Sequence, residues 1–375
     1  MKLVVQNSAR VWGGNEKWLA MLSAGLLERG HEVVVACRGG GTVERELASR
    51  GLPTARLLPG GYADLWRAAR FRSWLRRERP DALLLTSWKG TFWGAWAGRG
   101  AGVPRIVARV GIVRELEHER HAFPFRRWVD ALVVNSWEVR EAWLRSAPWF
   151  PAGEVHVVFN GVHLPVPPSA DGIRALRAAL GAGPETLLVA GAGNLAWRKG
   201  FDLLLDAFAL AAVPASRLVV VGSGPEEGAL RARAARLGVA DRVCWAGRRD
   251  DVPELLAACD VFVLSSRNEG MANVMLEAMA AGTPVVATGH SGVRDALGPA
   301  GGGRPAGWIV PAEDSAALGA ALGVVLAELR AGGGEAALRA AEARRRARER
   351  FGAARMVDEV ERVLFPETVG STATG

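Results

Sequence analysis

The chain reads DVFVLSSRNEGMANVMLEAMAAGTPVVA over residues 260–287, the pattern of a buried strand, a turn, a helix and a second buried strand. Gly270 lets the backbone turn sharply, and the helix is expected to begin near Ala272. Glu269 then lies at the carboxyl end of the first strand, whereas Glu277 lies about one turn inside the helix. Because buried parallel strands need helical crossovers, this segment predicts an α/β domain.

The start of this helix is expected to bind an anion. Backbone N–H groups in the first turn point outward with the positive end of the helix dipole, which suits a diphosphate. The residues of this turn are Gly270, Met271, Ala272 and Asn273, followed by Val274. Carboxylates beside such a turn accept hydrogen bonds from hydroxyl groups. A nucleotide sugar carries both phosphates and hydroxyls.

Residues 269–286, EGMANVMLEAMAAGTPVV, resemble the signature of the retaining family 4 glycosyltransferases, which have the GT-B fold. The match to this signature includes the two glutamates, the flanking strand, the glycine and the AGTP segment that follows the helix. The resemblance implies that Glu269 contacts the donor sugar near the reacting carbon and that Glu277 holds the ribose hydroxyls. Residues 270–274 would bind the rest of the donor. The alternative is that both glutamates are solvated helix residues.

A second segment, VWGGNE at residues 11–16, follows the first strand and opens the first helix. It resembles the Gly-Gly-x-Glu element of the same family. The resemblance implies that Gly13 and Gly14 lie near the donor and that Glu16 is a candidate on the acceptor side. The alternative is a plain glycine turn followed by a solvated glutamate.

A third segment, GAGNLAWRKG at residues 191–200, follows a strand and precedes a helix. It resembles the family's Arg-Lys-Gly segment, which implies that Arg198 and Lys199 stabilise the departing diphosphate. The family often has an arginine directly after the glycine that ends this strand, but Gly193 and Asn194 occupy that region here. Lys199 is therefore the stronger candidate. The alternative is a solvent-exposed basic pair.

The same segment also matches the Gly-x-Gly-x-x-Ala form of a dinucleotide fingerprint, which suggests an NAD-dependent oxidoreductase as a rival class. A dinucleotide site needs an acidic residue at the end of the next strand to hold the ribose. That strand ends VVVGSGP at residues 219–225, without a carboxylate. The sequence therefore favours the transferase.

Two parts of the site are less well defined by the resemblance. Residues 246–256, AGRRDDVPELL, lie where the family lines the nucleotide base, which makes Arg248, Val252 and Leu255 base-pocket candidates. Many relatives place a histidine after the strand at residues 105–109, but this chain has Arg109-Val110-Gly111 there. The remaining acceptor-side candidates are Arg109, His118 and His121, and no general base is assigned.

Short apolar runs alternate with helical patterns along the whole chain. This alternation predicts two Rossmann-like, doubly wound α/β domains that face each other across a cleft, as in the GT-B fold. Predicted strands lie at residues 2–6, 32–36, 82–86, 105–109, 131–134 and 154–158, and then at 186–190, 217–222, 242–246, 260–265 and 284–287.

The predicted domain boundaries follow from the turn-rich passage near residue 160. Residues 1–160 form an N-terminal domain on the acceptor side, and residues 161–170 form a linker. Residues 171–345 form the domain that binds the nucleotide-sugar donor. Residues 346–375 are expected to contain a helix that returns toward the first domain, followed by a disordered tail from residue 366.

The formal net charge is +8, which attracts anions but does not identify them. Because no nucleic-acid-binding pattern is visible, nucleic acid is not expected as a partner. Eleven of the 14 tryptophans fall in the first 150 residues, often beside arginines, a combination that suits sugar stacking, a membrane headgroup zone or simple core packing. A cytoplasmic location is expected, and a peripheral contact with the inner membrane face is left open.

The sequence also predicts whether the protein needs a metal ion or another cofactor. Its three cysteines lack CxxC spacing and histidine partners, so neither a disulfide nor a metal site is expected. The cations at residues 198 and 199 would do electrostatically what a divalent cation does in other enzymes. No cofactor is expected beyond the donor substrate.

The function predicted from these segments is retaining transfer of a sugar from a nucleoside diphosphate sugar to an acceptor hydroxyl, in polysaccharide, glycolipid or glycoside biosynthesis. The acceptor, the donor sugar and the base stay open. Three alternatives remain at this point: a nucleotide-sugar epimerase, an NAD-dependent oxidoreductase and a noncatalytic nucleotide-sugar binding protein.

Overall fold

The computed structural model describes residues 1–58, 64–113, 116, 118–299 and 302–366. They form two compact domains. The first comprises Met1–Gly161 and the segment that begins at Ala353, and the second comprises Val162–Gly352. The helix Gly334–Arg350 belongs to the second domain and extends past the predicted boundary at residue 345. Of the tail predicted to be disordered, only Pro366 lies within the described residues.

The first domain contains a parallel sheet. Its strands are β1 (Lys2–Asn7), β2 (Glu32–Cys37), β3 (Thr54–Arg56), β4 (Ala82–Leu85), β5 (Arg105–Val110), β6 (Ala131–Val134) and β7 (Val155–Val157). Among the described residues they have the spatial order β3-β2-β1-β4-β5-β6-β7. Strands β1 to β3 extend the sheet toward one edge, and strands β4 to β7 extend it toward the other edge, as in doubly wound folds.

Helices cover both faces of this sheet because its strands are apolar on both sides. They are α1 (Gly14–Glu28), α2 (Thr42–Ser49), α3 (Leu65–Glu78), α4 (Thr91–Ala101), α5 (Glu119–Arg127), α6 (Trp137–Ser146) and the C-terminal helix (Ala353–Leu364). The C-terminal helix packs on α1, and its Glu361 pairs with Arg29 and His31. Its amphipathic pattern buries Met356 and Val360 in the core of the first domain.

The tryptophans of the first domain divide between core and surface. Trp18 and Trp143 are fully buried, one on each side of the sheet. Trp66 on α3 and Trp137 on α6 are exposed. Core packing therefore accounts for part of the tryptophan enrichment. At the surface, the Arg140 guanidinium lies over the Trp137 ring.

The second domain repeats the pattern. Its strands are β8 (Leu187–Ala192), β9 (Ser216–Val221), β10 (Val243–Gly247), β11 (Val261–Leu264), β12 (Val285–Thr288) and β13 (Trp308–Val310). Its helices are α7 (Ala170–Ala179), α8 (Phe201–Ala211), α9 (Glu227–Arg236), α10 (Val252–Ala258), α11 (Asn273–Ala281), α12 (Ser291–Leu297), α13 (Ser315–Arg330) and α14 (Gly334–Arg350). The described strands are parallel and have the spatial order β10-β9-β8-β11-β12-β13.

Every strand predicted from the sequence is present, with ends that agree within two residues. The structure adds β3 and β13, which the sequence analysis missed. Both are three residues long and lie at sheet edges. An edge strand this short has neither a continuous apolar run nor enough residues to show alternation, so periodicity cannot reveal it.

No single helix within the described ranges is both long enough and apolar enough to cross a bilayer. The consecutive helices α13 and α14 reach that length and composition only when taken together, and they are bent by 106°. Leu318, Leu322 and Val325 of α13 are buried in the core of the second domain.

Candidate active site

Three loops gather at one edge of the second sheet. Lys199 follows β8, Glu269 follows β11, and His290 follows β12. These strands are neighbours in the order β8-β11-β12, and the carboxyl ends of parallel strands meet at the same edge. The topology of the sheet therefore brings together residues that are separated by up to 91 positions in the chain.

The Arg-Lys-Gly segment is held tightly against the loop after β11. Trp197–Lys199 form a short 3-10 turn that ends at Gly200, whose φ is +62°. A Cβ atom at Gly200 would lie 2.0 Å from the carbonyl oxygen of Ser265, so only glycine fits. The Arg267 N–H also donates to the Arg198 carbonyl oxygen at 2.9 Å. This close approach sets the position of Lys199 relative to Glu269.

Arg267 supports the same turn and was not predicted from the sequence. Its guanidinium donates to the Trp197 carbonyl oxygen at 2.8 Å and makes two hydrogen bonds to Asp202, at 2.8 and 2.7 Å. It also stacks on the Trp197 ring, with its Cζ atom 4.7 Å from the ring centroid. The fork geometry of arginine lets one side chain join the loop after β11 to the first turn of α8.

Glu269 is buried between two cations. Lys199 Nζ donates to Glu269 Oε1, and Arg198 Nη1 lies 3.0 Å from the same oxygen. Burial raises the pKa of Glu269, but the charges of Lys199 and Arg198 outweigh it and hold the pKa below its usual value. The carboxylate is therefore ionised. The alternative of a solvated helix glutamate is wrong for Glu269, which is 8% exposed and precedes the helix.

The remaining residues of the predicted anion turn lie where the sequence placed them. Met271 and Ala272 are buried, Asn273 begins α11, and Glu277 is half-buried one turn further along this helix. The carbonyl oxygen of Gly270 accepts a hydrogen bond from the N–H of Gly292 at 2.6 Å. This bond ties the turn before α11 to the first turn of α12.

His290 completes the cluster and was missed by the sequence analysis. Its side chain is only 8% exposed and faces both the carboxylate and the backbone of Glu269. Burial lowers the pKa of His290 to about 4, although the Glu269 carboxylate opposes this shift. The imidazole is therefore neutral at pH 7. The available signal was the GHSG loop directly after β12, at the same sheet edge as the other site loops.

This buried histidine should make stability depend on pH. The pKa of His290 is about 4 in the folded chain and ordinarily about 6.5, so between these values only the unfolded chain binds the proton. Stability should fall as the pH drops through this window. From pH 7 to pH 5, the free energy of unfolding should fall by about 2 kcal/mol more in the parent than in His290→Gln.

Urea unfolding at the two pH values measures this difference. His163→Gln is the matched control because His163 is exposed. If the parent and His290→Gln lose equal stability, the neutral state of His290 is disproved.

The base-pocket candidates are only partly presented to solvent. Arg248 is exposed in the loop after β10. Val252 is 8% exposed and Leu255 is fully buried, because α10 turns these side chains toward the core. The prediction that the Leu255 side chain contacts the base is therefore not supported by its position. An apolar residue in a strand-to-helix loop has the same sequence pattern whether it faces a ligand or the core.

Gly13 and Glu16 of the first domain lie at the carboxyl edge of its sheet. Gly13 is the N-cap of α1, and Gly14 is the first residue of this helix. Glu16 is buried, and it accepts hydrogen bonds from the side-chain amides of Asn7 and Asn15, both at 3.0 Å. The alternative of a solvated glutamate is therefore wrong.

Arg109 belongs to the same network. Its two terminal nitrogens donate to the side-chain oxygens of Asn15, at 2.6 Å, and Asn160, at 3.0 Å. The guanidinium lies over the Trp18 ring, 4.2 Å from the centroid. Burial lowers the pKa of Arg109 to about 10, which leaves it charged at neutral pH. The network thus joins the end of β5 to α1 and positions Glu16 through Asn15.

The two histidines predicted as acceptor-side candidates lie at the start of α5. His118 is exposed as the N-cap, and His121 is half-buried with its ring 5.7 Å from that of Trp88. Residues 114, 115 and 117 of the same charged segment lie outside the described residues.

Comparison with known proteins agrees with this arrangement. The model of glycosyltransferase family 4 matches residues 12–165, and the model of the glycosyl transferases group 1 matches residues 185–328. The lipopolysaccharide core biosynthesis glycosyltransferase LpsE of Rhizobium meliloti (strain 1021) is 31% identical over 286 residues, which cover 75% of this chain and 77% of LpsE. The chain belongs to the family 4 glycosyltransferases.

Solved structures show the same fold for this glycosyltransferase. HepE of Anabaena in complex with UDP-glucose has a TM-score of 0.83 at 23% identity, over 99% of this chain and 100% of HepE. A glycosyltransferase from Rickettsia africae ESF-5 has a TM-score of 0.85 at 15% identity, over 99% of both chains. The predicted fold class, two Rossmann-like domains of the GT-B type, is confirmed. The oxidoreductase and epimerase alternatives have no support from these relatives.

Proposed function

We propose that this glycosyltransferase takes its sugar from a nucleoside diphosphate donor, transfers it with retention of anomeric configuration and needs no metal ion. The observation that carries the proposal is the cluster of Lys199, Arg198 and Glu269 beside the start of α11. Two cations and a helix N-terminus suit a diphosphate, and one carboxylate suits a sugar hydroxyl. The HepE structure, whose ligand is UDP-glucose, supports a donor of this class.

The leaving diphosphate gains negative charge as its bond to the sugar breaks. A fixed cation near the leaving oxygen stabilises this charge more in the transition state than in the bound donor, and so lowers the barrier. Lys199 is the better placed of the two cations because its side chain is mostly buried, whereas that of Arg198 is 44% exposed. A buried charge is screened less by solvent.

Glu269 has two roles in this proposal. Its carboxylate orients the Lys199 ammonium, and it accepts a hydrogen bond from a hydroxyl of the donor sugar near the reacting carbon. The acceptor hydroxyl loses its proton to the departing phosphate, since no protein side chain is assigned as the general base. We propose that the neutral imidazole of His290 donates a hydrogen bond to the same donor.

We further propose that the second domain binds the donor and the first domain binds the acceptor. LpsE acts in lipopolysaccharide core biosynthesis, as its name states, and we propose a glycan or glycolipid acceptor here as well. The acceptor is therefore expected to present a sugar hydroxyl.

Glu277→Ala tests the donor assignment. Because Glu277 is proposed to hold the ribose hydroxyls through the whole reaction, its loss should weaken ground-state and transition-state binding equally. The KM for the donor should rise about 10-fold, and kcat should change little. Steady-state kinetics with varied donor measure both. A large fall in kcat at unchanged KM would contradict this role.

A donor screen followed by product analysis tests the function as a whole. Thermal unfolding with a panel of nucleoside diphosphate sugars should show one donor that raises Tm, because ligand binding stabilises the folded state. NMR of the product should show the anomeric configuration of the donor, and excess chelator should leave the rate unchanged. An inverted product would refute retention, and loss of activity with chelator would refute metal independence.

A further inference from the structure

A cavity of about 570 Å³ opens in the first domain at the carboxyl edge of its sheet. Five arginines line it, and we call it the arginine cavity. Arg10 follows β1, Arg38 follows β2, and Arg56 ends β3, while Arg67 and Arg70 project from α3. The cavity thus lies beyond the carboxyl ends of three adjacent strands, where doubly wound sheets bind their ligands.

The positive charge of the arginine cavity is only partly balanced. Arg56 pairs with Glu44, and Arg67 lies 3.5 Å from Asp64. Within the described ranges, Arg10, Arg38 and Arg70 form no ion pair. Nearby like charges repel one another, so an arrangement of this kind is stable only where an anion or the solvent compensates it.

Four of the five arginines are exposed to solvent, whereas Arg38 is half-buried. Its Nε atom is buried and has no hydrogen-bond partner among the described residues. Burial lowers the pKa of Arg38, and the neighbouring charges of Arg10 and Arg67 lower it further. A buried guanidinium nitrogen without an acceptor costs free energy that a bound anion would recover.

Glycine backbone lines one side of the cavity and leaves space for a ligand there. Gly39, Gly40 and Gly41 line it just before α2, and a Cβ atom at Gly40 or Gly41 would meet nothing within 4 Å. Gly40 has a φ of +77°, which favours glycine, and Gly41 is the N-cap of the helix. The helix dipole adds to the positive field of the arginines, and Glu44 in the first turn of α2 offsets part of it by accepting a hydrogen bond from the Gly40 N–H at 2.7 Å.

We propose that the arginine cavity binds a phosphate group carried by the acceptor. A phosphate ester offers nearly two negative charges and three acceptor oxygens at pH 7, which match several guanidinium forks better than one carboxylate does. The cavity also exceeds the volume of a bare phosphate, so it has room for part of the attached molecule. Assignment of this ligand to the acceptor rests on the proposed function, in which the first domain binds the acceptor.

The first test measures phosphate binding without catalysis. Inorganic pyrophosphate is titrated calorimetrically into two full-length proteins. One carries Lys199→Ala alone, which impairs the donor site, and the other carries Lys199→Ala together with Arg38→Gln and Arg70→Gln. The double substitution should weaken binding at least 10-fold. Arg77→Gln, an exposed arginine on the same helix that does not line the cavity, is the matched control and should have no effect. Equal affinity in all variants would overturn the proposal.

The stability of these variants provides a check on folding. Removing two arginines from a cluster of like charges should leave Tm unchanged or raise it when no anion is present. An increase in Tm with pyrophosphate should then be seen in the Lys199→Ala protein and be lost with the double substitution. A double variant that is folded and still gains the same stabilisation would contradict the site.

The second test identifies the source of the phosphate. One arm uses a hexose 6-phosphate and the matching hexuronate, and the other uses vesicles of phosphatidylglycerol with phosphatidylcholine vesicles as the control. If binding of the hexose 6-phosphate depends on Arg38 and Arg70, the acceptor is a soluble phosphorylated molecule. If binding of the phosphatidylglycerol vesicles depends on them, the acceptor is linked to a lipid. Equal binding of the hexuronate would overturn the assignment to phosphate. Failure of the donor screen would refute the proposed donor site, but it would leave these results unchanged.

Discussion

Lys199→Ala should slow sugar transfer by about 10²-fold or more and weaken binding of the donor. The ammonium is proposed to stabilise the charge that develops on the leaving diphosphate, and the Lys199 side chain is mostly buried against Glu269, where solvent screens little. Because that charge is largest in the transition state, most of the effect should be on kcat. Steady-state kinetics with the donor found by screening measure the change.

Two further substitutions separate charge from packing at this position. Lys199→Met keeps the length of the side chain without its charge and should be as slow as Lys199→Ala. Lys199→Arg keeps the charge and should recover part of the rate. If Lys199→Met transfers sugar at the parental rate, electrostatic stabilisation by this residue is disproved.

Glu269→Gln should also reduce kcat by about 10²-fold, but its effect on donor binding should be the opposite. The parent carboxylate offsets part of the charge of Lys199 and Arg198, which both contact it. Without it, two uncompensated cations face the diphosphate, so the nucleoside diphosphate should bind as tightly as before or more tightly. Calorimetry of nucleotide binding and kinetics of transfer measure the two effects separately.

Glu277→Gln is the matched control for this substitution, since it makes the same chemical change further along the same segment. It should raise the KM for the donor and leave kcat nearly unchanged. If Glu269→Gln behaves in the same way as Glu277→Gln, then Glu269 only binds the donor and has no role near the reacting carbon.

The alternation of apolar runs and helical patterns was sufficient to predict both sheets except for the short edge strands β3 and β13, because parallel strands buried on two faces leave a strong local signal. The pairing of Lys199 with Glu269 was also within reach, since each follows a strand in a recognisable segment and carboxyl ends share one edge. Sequence could not separate Leu255, which is buried, from a residue that faces a ligand. Exposure depends on which neighbours cover a side chain, and local sequence does not contain that information.

His290 and the arginine cavity show the same limit more strongly. The GHSG loop indicates that His290 lies at the same sheet edge as Glu269, but it does not indicate that the histidine is buried there. In the sequence, nothing distinguishes Arg10, Arg38 and Arg70 from the many other arginines of the chain. Only the spatial order of β3, β2 and β1 shows that they line one cavity.

The sequence by itself determined the fold class, the family and the segment that carries the two glutamates, because these depend on local periodicity and on residues close together in the chain. Only the tertiary structure decided which charges are buried, which are paired and which converge. The physical reason is that electrostatic energies depend on distance and on exclusion of water. Both are set by strand order and side-chain packing, which join residues distant in the chain.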